Sequence, residues 1–470
     1  MNRVIVVGGG LAGMAAAVAL DSTGVLVTLL EARKTLGGRA GSFEDPQTGE
    51  ILDNCQHVLL GCCTNLLDFY RRLGVGHLIR FERTIRFVDP RGVAYELRAT
   101  SGLPAPLHLA LSMLRFGALT VRERIALARA MAAMLRLGRT GRLALSDVPF
   151  GRWLEEHRQP QSLVAKLYDA ILIGSLNEDP RSASSAYAIQ VFQDALLANS
   201  SGYLLGLPAC PLETLYARLP ASASPPGPAL DVRLATRVSE IIFCDGAASS
   251  VKLASGEILP ADAIVLATNH HAVQRWVPAD LQSHDARFSA LDRLESVPIL
   301  GAHLWFDRPV LAESHAAFMQ GPLQWLFRKD AEGRKVHGVI SAARAWLDVP
   351  RDRALQQFAA QIRATLPLAR GATLQRGVIV IEKRATFSPA PGVDRLRSGQ
   401  VPPPDGIANL FLAGDYTQTG WPATMEGAVR SGYLAAEAVL AHVVPGQPSR
   451  RFLVPDLPAQ WPARIASQGR

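Results

Sequence analysis

The chain has 470 residues, 48% of them apolar and 19% charged, too long for one ordinary core and readable as two or three domains. No stretch approaches the roughly twenty uninterrupted apolar residues of a membrane span, and the opening apolar run Val4–Val7 breaks into glycines, unlike a secretory leader. A net charge of +8 admits nucleic acid, an anionic lipid surface or an anionic cofactor, but no Lys/Arg run with interleaved aromatics supports nucleic acid.

Arg3–Val7 reads as a buried strand, Gly8–Gly13 as a glycine turn, Met14–Leu20 as a small-residue helix, and Val25–Leu30 as a second strand ending on Glu31. In this β-α-β unit Gly8 permits the tight turn, Gly10 lets backbone approach a pyrophosphate, and Gly13 lets helix and strand pack closely. Leu11 and Ala12 open the helix whose N-terminus faces the phosphates. Glu31 is placed to accept both ribose hydroxyls of an adenosine, which disfavours a 2′-phosphate and hence NADP. Ala32 and Arg33 follow, then a second glycine pair, Gly37-Gly38, with Arg39 beside it as a cation for the pyrophosphate.

Asp53 to His57 comes directly after this unit. Cys55, Cys62, Cys63, Cys210 and Cys244 form no CxxC motif, which predicts reduced thiols in a cytosolic protein and no metal site. The vicinal pair Cys62-Cys63 reads as small buried filler at a helix start, with a redox dithiol as the competing reading. Residues 101–145 are helical in composition, split by prolines and glycines into two helices, and carry seven arginines against one acid, Glu123. They are either a solvated subdomain or a basic amphipathic surface on anionic lipid at the inner face of the cytoplasmic membrane. Asn177-Glu178-Asp179-Pro180 ends a helix, and Asp194 stands on an otherwise apolar one.

A helix-breaking loop spans Leu219–Leu230. Val232–Ile242, Ser249–Leu253 and Ala263–Ala267 read as strands. Leu410–Asp415 is a short strand ending in Gly414-Asp415, and Pro422 is placed like the first residue of a helix through Met425–Leu440. The predicted architecture is α/β. Residues 1–60, 205–270 and 401–445 form a Rossmann-like nucleotide-binding domain from discontinuous segments, around an inserted α+β substrate domain of 61–204 and 271–400. Residues 446–470 read as a surface tail.

Arg33–Ser42 resembles the second flavin element of the FAD-dependent amine oxidase and phytoene desaturase superfamily. The segment Leu410–Ala428 resembles its C-terminal flavin motif. The resemblance implies FAD, with Asp415 on the ribityl chain, Trp421, Pro422, Ala423, Thr424 and Met425 at the flavin, and Val238 touching adenine through its backbone. Leu52–Val75, Leu172–Ser184 and Val191–Leu197 resemble the bacterial hydroxysqualene dehydroxylases of hopanoid synthesis, although Ala209 stands where that family leads one to expect arginine. The implied reaction removes the allylic hydroxyl of hydroxysqualene as water and delivers hydride from reduced flavin N5, giving squalene, with an unidentified electron donor. A general acid is then needed, and His57, Glu178 and Asp194 are the candidates. Two other readings remain: a polyprenyl desaturase reoxidised by a quinone, and a non-catalytic flavin-binding protein of the Rab-escort kind. Amine oxidation calls for aromatic residues around the amine, and Trp421 is the one aromatic candidate the sequence offers.

Overall fold

The computed structural model describes residues 2–219, 230–446 and 450–468, so the loop expected after Leu219 lies outside the described residues up to Leu230. Strand β1 (Arg3–Val7), helix α1 (Leu11–Asp21) and β2 (Leu26–Leu30) open the chain. Helix α2 (Thr64–Arg72), hairpin β3 (Thr84–Val88) and β4 (Ala94–Arg98), and helices α3 (Ala110–Arg115), α4 (Val121–Leu143) and α5 (Asp169–Leu176) follow. Next are β5 (Asp231–Arg233), β6 (Val238–Cys244), β7 (Ala247–Leu253), β8 (Ile258–Pro260) and β9 (Ala263–Leu266). Then come β10 (Ser296–Phe306), β11 (His315–Phe318), β12 (Trp325–Arg328), β13 (Lys335–Ile340) and β14 (Leu374–Phe387). The chain closes with β15 (Leu410–Leu412), α6 (Met425–Val443) and α7 (Trp461–Gln468).

A parallel sheet runs β5-β2-β1-β9-β15 and so joins three stretches far apart in sequence. Each supplies a short β-branched or leucine strand covered on both faces; Val4, Val6, Ile264, Val265 and Leu410 are all buried. Helices α1 and α6 pack against one another beside this sheet. Their backbones come close because the residues between them are small: a Cβ on Gly432 would lie 2.2 Å from the Ala12 carbonyl oxygen. The second large sheet is mixed, in the order β14-β10-β13-β12-β11-β3-β4. It brings the β3–β4 hairpin beside strands more than two hundred residues downstream, through the parallel pairing of Phe87 with Ala317 and Val88 with Phe318.

Two expectations are corrected. Val232–Ile242 is not one strand: the chain turns at Ala235, whose φ is +50°, so β5 pairs with β2 while β6 joins β7 and β8 in a separate sheet. The C-terminal segment is not a loose surface tail. Phe452 is 3% exposed, the Val454 backbone exchanges hydrogen bonds with the Asn65 side chain, and α7 lies against α4.

Candidate functional site

The glycine turn between β1 and α1 is tightly packed and leaves the start of α1 open. Gly8 has φ +113°, where a Cβ would sit 2.6 Å from the Ala267 carbonyl oxygen. A Cβ on Gly13 would lie 1.9 Å from the Gly8 carbonyl oxygen, so helix and strand approach as only glycine allows. No side chain caps α1 at Gly10, and nothing lies within 4 Å of where a Gly10 Cβ would point. The second glycine pair is fastened to the first, with the Gly37 N–H donating to the Gly9 carbonyl at 2.9 Å. Glu31 is buried at the end of β2, where it accepts the Gly9 N–H at 2.6 Å and the Arg33 N–H at 2.8 Å. A carboxylate has further lone pairs to offer a ribose.

Gly8, Gly10, Glu31, Arg33 and Gly37 line one cavity of about 550 Å³ that continues to the Gly414-Asp415 turn and Trp421–Met425. Asp415 is held by Arg39, whose guanidinium donates to it at 2.5 Å and to the Ala385 carbonyl at 2.6 Å. Arg39, in the wall of the same cavity, is thus tied to Asp415. Pro422 does not open α6. The Thr424 hydroxyl accepts the Gly427 N–H at 3.0 Å and makes Thr424 the cap, leaving Pro422 in the preceding turn. Glu426, in the first turn of α6, accepts the Asn65 and Leu66 backbone N–H groups at 3.1 and 2.8 Å, fixing the start of α2 to this helix. Of the other predicted cofactor residues, Gly13 lies behind the turn, while Ala32 and Val238 are not part of the cavity wall.

Beyond the cofactor cradle the same cavity is walled by Ile85, Phe87 and Leu97 of β3–β4, Ile171 of α5, Tyr203, and Trp325 and Phe327 of β12. Trp325 and Phe327 are one strand repeat apart and stack at 5.8 Å with planes 8° from parallel. Trp421 is therefore not the one aromatic candidate. These side chains come from strands without a local motif; the alternation Trp325-x-Phe327 is the signal that marks them.

The three candidate acids separate. Glu178 is outside the cavity wall: it accepts from both guanidinium nitrogens of Arg344 at 2.7 and 2.9 Å and from the Ser388 hydroxyl at 2.6 Å. Burial pushes its carboxyl up, but these donors outweigh it and hold the group below the usual glutamate range. His57 lies in the wall, and its Nε2 is buried without a hydrogen-bond partner. Burial lowers its pKa against the pull of Asp53, so the ring is neutral near pH 7. Asp194 also lies in the wall, on a π-helical turn over Val191–Leu197, a geometry frequent at functional sites. Burial raises its pKa, opposed by Arg142 at 3.3 Å. The other wall carboxylates are engaged: Glu31 and Asp415 as above, Glu426 by Arg430 at 2.7 Å, and Glu382, which sequence reading missed, by the Arg384 N–H at 3.1 Å. Cys62 and Cys63 are buried in the wall. A hydrogen bond donated to Cys63, then burial, keeps the Cys62 thiol well above its ordinary pKa and therefore protonated.

The sequence profile described as flavin containing amine oxidoreductase matches residues 11–440. The chain is 31% identical over 454 residues to a hydroxysqualene dehydroxylase of Rhodopseudomonas palustris, covering 94% of this chain and 99% of the relative. It is 25% identical over 461 residues to a 15-cis-phytoene desaturase of Synechococcus elongatus, covering 93% and 96%. The fold matches that of cyclohexylamine oxidase from Brevibacterium oxydans with a TM-score of 0.64 at 19% identity, over 93% of this chain and 98% of the other.

Proposed function

The chain belongs to the flavin containing amine oxidoreductase family and is an FAD-dependent oxidoreductase; within that family we propose that it reduces the allylic alcohol hydroxysqualene to squalene. The observation that carries this reading is Asp194, a carboxyl with a raised pKa set in the wall of an otherwise largely apolar cavity that runs on from the cofactor cradle.

The uncapped start of α1 at Gly10 would hold the FAD diphosphate, Glu31 the adenosine ribose, and Asp415, oriented by Arg39, the ribityl chain. FAD, when bound and reduced, would supply the carbon with a hydride, one proton with two electrons. Asp194 holds the proton that the departing oxygen needs: the C–O bond breaks with its electron pair on oxygen, the proton from Asp194 makes the leaving group water, and the carbon is left an allylic cation. Phe87, Trp325 and Phe327 exclude water and turn aromatic faces and edges to a hydrocarbon chain and its developing charge. His57, neutral, is a polar contact in the wall rather than the acid.

Desaturation of a polyprenyl chain is the competing reading, supported by the identity with the phytoene desaturase. It has no leaving hydroxyl and makes no use of an acid at Asp194. Single-turnover reaction of the reduced holoenzyme with hydroxysqualene distinguishes them. Squalene forms with the parent protein and about 10²–10⁴-fold more slowly with Asp194→Asn; equal rates in parent and variant remove Asp194 and the argument built on it.

A further inference from the structure

Large apolar side chains exposed to solvent are concentrated in one place. Of the sixteen among the described residues, nine lie within 103–143 and 461–465. Leu107, Leu111 and Leu114 follow one another at i, i+4 and i+7 along one side of α3 and the turn before it, with Leu114 65% exposed. Val121 and Ile125, 69% and 48% exposed, continue this on the first turns of α4. The C-terminal helix α7 adds Trp461 and Ile465, also one turn apart, 59% and 64% exposed.

These elements are joined. The Ala105 N–H donates to the Gln460 side chain at 2.5 Å, next to Trp461. At the other end of α7, a Cβ on Gly138 of α4 would be 3.8 Å from that of Ser467. So α7 reaches from the neighbourhood of residue 105 to that of Gly138 in the later part of α4, and the Arg124 side chain, donating to the Phe116 carbonyl at 3.1 Å, ties the start of α4 to the end of α3.

The charge around them is mainly positive, although the exposed Asp456 lies 3.9 Å from Arg139 and Glu96 flanks α3. Arg115, Arg122, Arg129, Arg136, Arg139 and Arg464 are exposed. Glu123, the single acid between 101 and 146, is 3% exposed and occupied by its capping box with Thr120, by Ser162 at 2.5 Å and by Lys166 at 3.0 Å. A solvated face does not need leucines exposed in register, and two copies of this face would bring arginine against arginine. Leucine, isoleucine and tryptophan ringed by arginine match the acyl boundary and headgroups of an anionic bilayer.

We propose that α3, the first half of α4 and α7 form a face that docks the protein on an anionic phospholipid surface. The face meets the cavity wall at Tyr203. Tyr203 lines that cavity, accepts the Ala99 N–H at 3.1 Å, and packs its ring 5.7 Å from that of buried His108, the residue following Leu107. A lipid-dissolved substrate is thereby delivered beside the wall formed by Leu97 and Tyr203. The docking claim does not depend on which isoprenoid is used.

The test is flotation of the full-length FAD-loaded protein with vesicles of phosphatidylcholine alone and of phosphatidylcholine with an equal part of phosphatidylglycerol. The protein floats with the anionic vesicles, less as salt is raised, and not with the neutral ones. Leu111→Asn with Leu114→Asn lowers binding about tenfold or more, and replacing Arg115, Arg122 and Arg129 by Gln lowers it roughly a hundredfold. Flavin absorbance and melting temperature stay at parent values, and Val121→Asn with Ile125→Asn serves if the first pair loses flavin. The proposal is overturned if the parent protein ignores both vesicles, or if the variants bind as the parent does. It is equally overturned if sedimentation shows a dimer that these substitutions dissociate, which would make the face an interface between copies. Failure of hydroxysqualene turnover leaves the vesicle result untouched, so the two claims fail separately.

Discussion

Asp194 and Glu178 are both acids next to an arginine, and the difference in what surrounds them decides their chemistry. Asp194 meets Arg142 through a single contact at 3.3 Å, so the cost of burying a charge prevails and its pKa rises above 3.8. A rate that needs its proton is full on the acid side and falls as pH rises through the folded-state value; Asp194→Asn removes that alkaline limb from the single-turnover pH profile. Glu178, with two Arg344 contacts and a serine, is held below its ordinary 4.5. Its contribution to stability is present above the unfolded-state value and lost as pH falls through the folded one. Glu178→Gln therefore lowers the melting temperature at neutral pH, at a cost of about 1–3 kcal/mol, and flattens the acid-side loss. The single-turnover rate stays at the parent value. A rate loss matching that of Asp194→Asn would return Glu178 to the chemistry.

Elements show what was readable locally and what was not. The first β-α-β unit was legible because every requirement lies within thirty residues: glycines where backbones must approach, a small-residue helix, a carboxylate at the second strand's end. Gly13→Ala sets its methyl against the Gly8 carbonyl and is expected to cost about 1–3 kcal/mol and to yield protein without flavin absorbance. Retention of full flavin would contradict the close-packing argument. The helix over Met425–Val443 was also legible, but its first turn was not, because proline signals a helix start only when no better cap follows, and Thr424 is the better cap. The break at Ala235 was hidden by a composition that favours strand throughout Val232–Ile242. The C-terminal segment looked structureless because its anchors, Asn65 and α4, are hundreds of residues away.

At the scale of the whole molecule, the cavity lies where the parallel sheet's glycine turns meet the mixed sheet's aromatic strands, and the sequence displayed only the first of these. Cofactor recognition uses backbone geometry, which leaves local motifs. The rest of the cavity wall uses side chains from β3, β4 and β12 that become neighbours only through strand pairing such as Phe87 with Ala317. That enclosure supports the proposed reaction: an apolar chamber retaining one carboxyl with a raised pKa suits loss of a hydroxyl from a hydrocarbon chain. Product analysis tests this most directly. The holoenzyme is incubated anaerobically with dithionite and hydroxysqualene, and in parallel, oxidised with a quinone, with phytoene; both extracts are examined by mass spectrometry. The account predicts squalene from the first incubation and unchanged phytoene from the second. Desaturated phytoene with no squalene would contradict it.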